Sequence, residues 1–200
     1  MKLLQLIKIF WFRFILSNIR IKGKVKIKSP TLFIGKGKIK MGKGINLGYY
    51  PSPYYYSNYN HIEARNSDAI ISIGNNTDIN NNCCIIANSG LIKIGDNCKI
   101  GANLSLFNSD FHGVKISERN DPEKIISQDI EIGDNVFIGN NVTILKNVKI
   151  GCGSIIGAGS VVTKSFPEDS VIGGNPAKLI KRIENNEQTS YICINSCIQS

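Results

Sequence analysis

The sequence predicts an all-β chain wound into a coil of short parallel strands with three flat sides. Three observations point there. From Ile132 an apolar residue returns at every sixth position, through Ile138, Ile144, Ile150 and Ile156 to Val162. Glycine follows four of these, as Gly133, Gly139, Gly151 and Gly157, and turn formers such as Asp134-Asn135 come next. Ile and Asn, a strand former and a turn former, together supply 58 of the 200 residues. A period of six is neither the 3.6 of a helix nor the 2 of a plain strand. It suits a chain that makes a short strand, turns a corner and repeats. Three sides then close a coil of about eighteen residues that rises about 4.8 Å, one strand spacing, per turn. Each sixth side chain points inward and stacks on the one a full coil away. Small Ser154 and Ser160, four places after Ile150 and Ile156, fit where the prism narrows.

Along the chain, the first element is the apolar stretch Met1–Leu16, interrupted by Lys8 and Arg13. It falls short of the ~18 residues needed to span a bilayer, and no small-residue cleavage site follows. Residues 1–50 hold ten Lys, two Arg and no acid, giving +12, whereas the whole chain carries +9. The basicity is local. That argues against a fold-wide nucleic-acid surface and favours a local anionic partner such as a lipid surface. Residues 1–26 are therefore expected to form a basic amphipathic segment with a short helix. It either lies on the membrane, with Trp11 and Phe12 at headgroup level and contact through residues 1–28, or packs on the fold or another subunit.

The coil is expected over residues 27–183. Looser copies of the repeat sit at Ile34-Gly35, Met41-Gly42 and Leu47-Gly48. A tyrosine-dense insertion follows, from Tyr49 to Tyr59, with His61 just beyond it. Aromatic rings stack on sugar faces, although a loop packed on the coil is the plainer reading. The strict register opens at Ile73, Ile79 and Ile85, skips three residues, and resumes at Ile94, Ile100 and Leu106. It breaks for the 23 residues Phe107–Asp129 before the long run from Ile132. A short C-terminal helix is expected across Lys178–Arg182. The tail, residues 184–200, carries no readable pattern. The six Cys form no Cys-x2-Cys pair, and only His61 and His112 are present. Neither a zinc site nor a disulfide framework is visible, and a reducing cytoplasm is the expected compartment.

Function is expected where the repeat breaks, because an inserted loop escapes the packing rule. The break at Phe107–Asp129 holds Asp110 and His112. Neutral imidazole suits removal of a hydroxyl proton at neutral pH, a task that contributes ~10²- to 10⁴-fold in rate.

The pattern resembles the hexapeptide-repeat acyltransferases, over residues 27–183 and most specifically over 73–183. The similar branch contains galactoside and maltose acetyltransferases and the O-acetyltransferases of surface polysaccharides. The resemblance implies a left-handed parallel β-helix, against the usual right-handed crossover preference. It also implies homotrimers with sites in the clefts between neighbouring coils. Ser109-Asp110-Phe111-His112-Gly113 resembles the family's catalytic loop, which makes His112 the general base. Asp110 or a backbone carbonyl would hold its second nitrogen, and Asp110 joins the expected substrate-binding set. Asn82 aligns with a family Asn beside the acceptor hydroxyl; turn geometry is the competing reason for an Asn there. Asn140 and Ala158 match positions where backbone groups contact the pantetheine arm of acetyl-CoA. Thr163-Lys164 and Gly173–Lys178 match the stretch that meets the nucleotide, with Lys178, Lys181 and Arg182 supplying positive charge for phosphate. No metal is expected.

The function so implied is acetyl-CoA-dependent O-acetylation of a saccharide hydroxyl in surface polysaccharide synthesis, in the cytoplasm with peripheral contact at the inner face of the membrane. An N-acetyltransferase acting on a nucleotide-linked amino sugar is the nearest alternative. A γ-type carbonic anhydrase needs three His where this chain has two. A non-catalytic scaffold would not need the His loop.

Overall fold

A computed structural model describes residues 2–21 and 24–184. Strands run from Lys26 to Arg182 and stack into three sheets, the faces of a triangular prism. Face A stacks Lys26–Ile27, Asn46–Leu47, Asp78–Ile79, Lys99–Ile100, Phe137–Ile138, Ile155–Ile156 and Ser170–Gly174, with Ala177–Arg182 outermost. Face B stacks Thr31–Gly35, Asn60–Ala64, Cys84–Ala87, Ser105–Phe107, Thr143–Leu145 and Val161–Val162. Face C stacks Lys38–Met41, Ile70–Ile73, Leu91–Ile94, Ile130–Ile132 and Val148–Ile150. All pairings are parallel except the last on face A.

The six-residue register is a register of buried side chains. Ile138 pairs with Ile156, Ile144 with Val162 and Ile132 with Ile150, each eighteen residues apart. All of Ile73, Ile79, Ile85, Ile94, Ile100 and Leu106 are buried, as is the run from Ile132 to Val162. So are the positions four residues on, from Thr77, Cys83 and Cys98 to Ser154 and Ser160. Two inward positions per side fill the prism; Cys83 and Cys98 serve there as small apolar side chains. At the corners Asn76, Asn82, Asn97, Asn103, Asn135, Asn141 and Asn147 take positive φ, a conformation Asn tolerates. Their amides stack into ladders: Asn82 Nδ2 donates to Asn103 Oδ1 at 2.8 Å, and Asn103 Nδ2 to Asn141 Oδ1 at 2.9 Å.

Two expectations need correction. In the first coil the inward residue is buried Phe33, not Ile34, which points outward beside Glu63. The Gly35 beside Ile34 mimics the repeat signature one residue out of phase. Lys178–Arg182 is not a helix but part of the strand Ala177–Arg182, which runs antiparallel to Ser170–Gly174. The free edge of that strand offers backbone partners that outweigh the weak helical pattern of six residues. The tail from residue 185 lies outside the described residues.

At the other end, helix Lys2–Phe10 runs into a wider π-helical turn, Trp11–Leu16. Ser17 and Asn18 then cover the free edge of strand Thr31–Gly35. The Phe33 N–H donates to Ser17 Oγ at 2.9 Å, the Gly35 N–H to Asn18 Oδ1 at 3.1 Å, and the Asn18 N–H to the Phe33 carbonyl at 3.1 Å. No described helix is long and apolar enough to cross a membrane.

Candidate active site

The long loop leaves face B after Ser105–Phe107 through a clamped neck. Ser109 and Ser127 form an antiparallel bridge, and the Gln128 N–H donates to the Asn108 carbonyl at 2.9 Å. Asn108 is fully buried. Its Oδ1 accepts from the Asn88 N–H at 2.8 Å and its Nδ2 donates to the Ser89 carbonyl at 2.6 Å. The three residues skipped between Ile85 and Ile94 thus anchor the base of the loop.

Beyond the neck, Phe111 has φ of +61°. That turn sets its ring edge-on to Phe107, with centroids 6.0 Å apart, and the Arg65 guanidinium lies 4.9 Å above the Phe111 ring. His112 follows at the surface. Its Nδ1 lies 3.2 Å from the Arg119 carbonyl oxygen. A carbonyl only accepts, so Nδ1 carries the proton and Nε2 keeps a lone pair toward solvent. Gly113 is required beside it, since a Cβ there would meet the Glu118 carbonyl oxygen at 2.2 Å. Of the two candidates for holding the ring, the backbone carbonyl is the one in contact. Asp110 instead pairs with Lys146 Nζ at 3.1 Å.

Asn82 sits at the corner that opens face B, with φ of +63°. Its Oδ1 accepts from Asn58 Nδ2 at 2.9 Å. It therefore serves the turn, and it also lines a recess of 490 Å³ with Ser57, Asn58, Tyr59, His61 and Cys84. His61 is not part of the tyrosine insertion but lies on strand Asn60–Ala64. His61, Glu63 and Arg65 alternate outward along face B, where sequence reading did not join them. His61 Nε2 lies 3.1 Å from Glu63 Oε2, and Arg65 Nε donates to Glu63 Oε1 at 2.7 Å. The Arg65 hydrogen bond holds the Glu63 carboxyl below its ordinary range despite partial burial, with His61 assisting. Asn82 precedes strand Cys84–Ala87 at one edge of face B, whereas His112 lies in the loop that leaves the other edge after Ser105–Phe107.

On face A, Asn140 and Ala158 share a groove of 560 Å³ with Gly139 and Gly157. Asn140 Oδ1 accepts from the Ala102 N–H at 2.8 Å. Lys178 and Lys181 lie on the outermost strand of the same face, paired with Gly173 and Val171. Thr163 and Lys164 do not join this set. They follow Val161–Val162 at the far corner of face B, where the Lys164 ammonium lies 5.7 Å from the Phe166 ring centroid.

Comparison with known proteins agrees with the coil. Residues 129–164 match the family described as bacterial transferase hexapeptide (six repeats), and residues 70–108 match the hexapeptide repeat of succinyl-transferase. A maltose O-acetyltransferase from Clostridium difficile 630 is 30% identical over 85% of this chain and 72% of its own, with a TM-score of 0.54. This chain belongs to the hexapeptide-repeat transferase family. Its coil is accordingly the left-handed parallel β-helix of such proteins. A hexapeptide-repeat acetyltransferase from Vibrio cholerae O1 biovar eltor, complexed with acetyl coenzyme A, is 34% identical over 57% of this chain, with a TM-score of 0.53. That match spans 61% of the Vibrio chain, less than two thirds of its length. A polysialic acid O-acetyltransferase is 27% identical over 88% of this chain and 75% of its own, with a TM-score of 0.55.

In this hexapeptide-repeat protein the coil thiols are poor nucleophiles. Burial pushes Cys98 up to about 11 and raises Cys83 and Cys84 as well. No three His, Cys, Asp or Glu side chains gather as a metal site among the described residues.

Proposed function

We propose that this protein transfers an acetyl group from acetyl-CoA to a saccharide hydroxyl, in the making of a surface polysaccharide. The observation that carries the reading is the His112 ring, held through Nδ1 by the Arg119 carbonyl with Nε2 left to accept a proton. In this mechanism Nε2 takes the hydroxyl proton as the oxygen attacks the thioester carbonyl. The tetrahedral oxyanion collapses, the carbon–sulfur bond breaks, and the imidazolium returns the proton to the departing thiolate. Burial raises the Cys84 thiol in the recess beside Asn82, which suits direct transfer rather than an acyl-cysteine.

Asn140 and Ala158 would border the pantetheine arm, since small residues let it lie against the coil. Lys178 and Lys181 would face phosphate, and Thr163-Lys164 would meet the nucleotide of acetyl-CoA. Asn82 would orient the acceptor and Asp110, through Lys146, the loop. The separation of Asn82 from His112 favours a site completed by a second copy, in a homotrimer with residues 27–183 as the transferase unit. We place the reaction in the cytoplasm at the inner face of the membrane. A screen of mono- and oligosaccharides with acetyl-CoA, read by release of the CoA thiol, tests the reading. Turnover confined to amino sugars with no hydroxyl product would move it to N-acetylation. The absence of turnover with every saccharide would overturn it.

A further inference from the structure

The N-terminal helix is turned inside out. The residue it buries against the coil is polar: Gln5 is 4% exposed, and its Nε2 donates to the Tyr55 carbonyl at 2.6 Å. Lys8 Nζ reaches the Tyr56 carbonyl at 3.3 Å, and the Phe12 ring packs on Tyr59 with centroids 4.8 Å apart. Phe12 therefore faces the protein rather than a headgroup layer. The outward face carries Leu3, Ile7, Phe10, Trp11, Phe14 and Ile15, from 45% to 70% exposed. An ordinary surface helix does the opposite. The first coil, to which Ser17 and Asn18 tie this helix, bears exposed Lys24, Lys26, Lys28, Lys36, Lys38 and Lys40. No acid lies in residues 1–50, so this end of the chain is strongly basic even though Lys28 faces Asp78. That combination fits an anionic bilayer surface: apolar side chains enter the acyl boundary and lysines meet lipid phosphate.

The tyrosine insertion joins this face to the acceptor recess. Tyr59 stacks on Phe12 on one side and lines the recess with His61 and Asn82 on the other.

We propose that the acceptor is a saccharide carried on a lipid, met by the Tyr59–His61–Asn82 recess while the outward face of the N-terminal helix rests on an anionic membrane. The proposal rests on the saccharide acetyltransfer reading for its chemistry, but its membrane half stands apart from catalysis.

Trp11 is the single tryptophan of the chain and reports directly. Full-length protein is mixed with phosphatidylcholine vesicles with and without about 30% phosphatidylglycerol, the anionic lipid the lysines require. Trp11 emission is expected to shift to the blue and to be quenched by acyl-brominated lipid only when phosphatidylglycerol is present. Ile7→Glu/Phe14→Glu removes two exposed apolar groups that would enter the bilayer and should weaken partitioning on the order of 100-fold, with unchanged melting temperature. A long-chain alkyl glycoside held in those vesicles should be acetylated at a kcat/KM about tenfold above the methyl glycoside in solution, an advantage the double variant loses. A Trp11 signal indifferent to vesicles overturns the proposal. So does a double variant that changes oligomeric state while binding vesicles normally, because a second copy would then cover the stripe. Equal turnover of vesicle-borne and soluble glycosides overturns the lipid-borne acceptor. Vesicle binding without turnover of any saccharide would instead overturn the acetyltransfer reading and leave the docking surface standing.

Discussion

The run from Ile130 to Val162 and the loop from Ser109 to Ser127 lie side by side in space and obey different rules. In the run, position within a six-residue period dictates whether a side chain is buried, at a corner or outside. Every such choice is repeated by the coils above and below. In the loop nothing repeats. His112 keeps its orientation through one carbonyl, Asp110 through one lysine, and Phe111 through a left-handed turn. The contrast teaches that this fold keeps stability and chemistry in separate accounts of the sequence. The period supplies a rigid wall, and departures from it supply groups aimed away from the wall.

Paired substitutions test the contrast most severely. Ile144 is fully buried and Ile116, in the loop, is 86% exposed. Ile144→Asp should cost about 4 kcal/mol or more and leave no cooperative unfolding transition. Ile116→Asp should melt with the parent protein. Equal melting temperatures for the two would break the inward assignment. His112→Ala and His112→Asn should lower kcat by about 100-fold or more while circular dichroism, melting and acetyl-CoA binding stay as they are. Retained turnover on a verified acceptor would shift the base to another group.

Milder changes sharpen the comparison. Neutralising Lys178 and Lys181 together should raise the KM for acetyl-CoA about tenfold with little change in kcat, since a phosphate contact is equal in ground and transition states. An unchanged KM at low salt would make them ordinary surface lysines. Asn141 ends one ladder at φ of +58°, and Asn141→Ala should cost about 1 kcal/mol by urea unfolding, with Asn141→Gly recovering most of the backbone part. The smallest effect concerns Glu63, whose carboxyl Arg65 holds below its ordinary value of 4.5. A depressed pKa adds stability that is complete above the ordinary value and is lost as pH falls toward the folded one. Melting curves of the parent and Glu63→Gln should therefore differ slightly at neutral pH and converge in acid.

The register was legible because one side chain type recurs under one constraint. Ile73, Ile94 and Ile132 fall on one stack although 21 and 38 residues separate the members, since the extra residues loop out without disturbing phase. Where only one glycine marked the phase, at Ile34-Gly35, the reading slipped by a residue. Lys178–Arg182 was misread because strand pairing depends on a neighbour that local pattern does not reveal. The His112 loop stood out as a break, but its carbonyl partner Arg119 depends on the 3-10 turn at Ile116–Glu118 that returns the chain. The His61–Glu63–Arg65 chain is written in plain alternation, but its joining depends on strand Asn60–Ala64 starting directly after the tyrosines, which no repeat signature marks. At the N-terminus composition showed an apolar, basic segment but not that Gln5 would be its inward residue.

A stack of parallel coils has no intrinsic stopping point, since its last strand presents the same unpaired N–H and C=O groups as every strand before it. Such an edge is a template for polymerisation. Here one face at each end is closed by a piece of chain that breaks the pattern. Ser17 and Asn18 occupy the edge of Thr31–Gly35 with side chains, and Ala177–Arg182 closes face A by running backward. A reversed strand cannot be continued by another parallel coil in the same register. These two short segments break the repeat where they stand and oppose continuation of the stack into a filament.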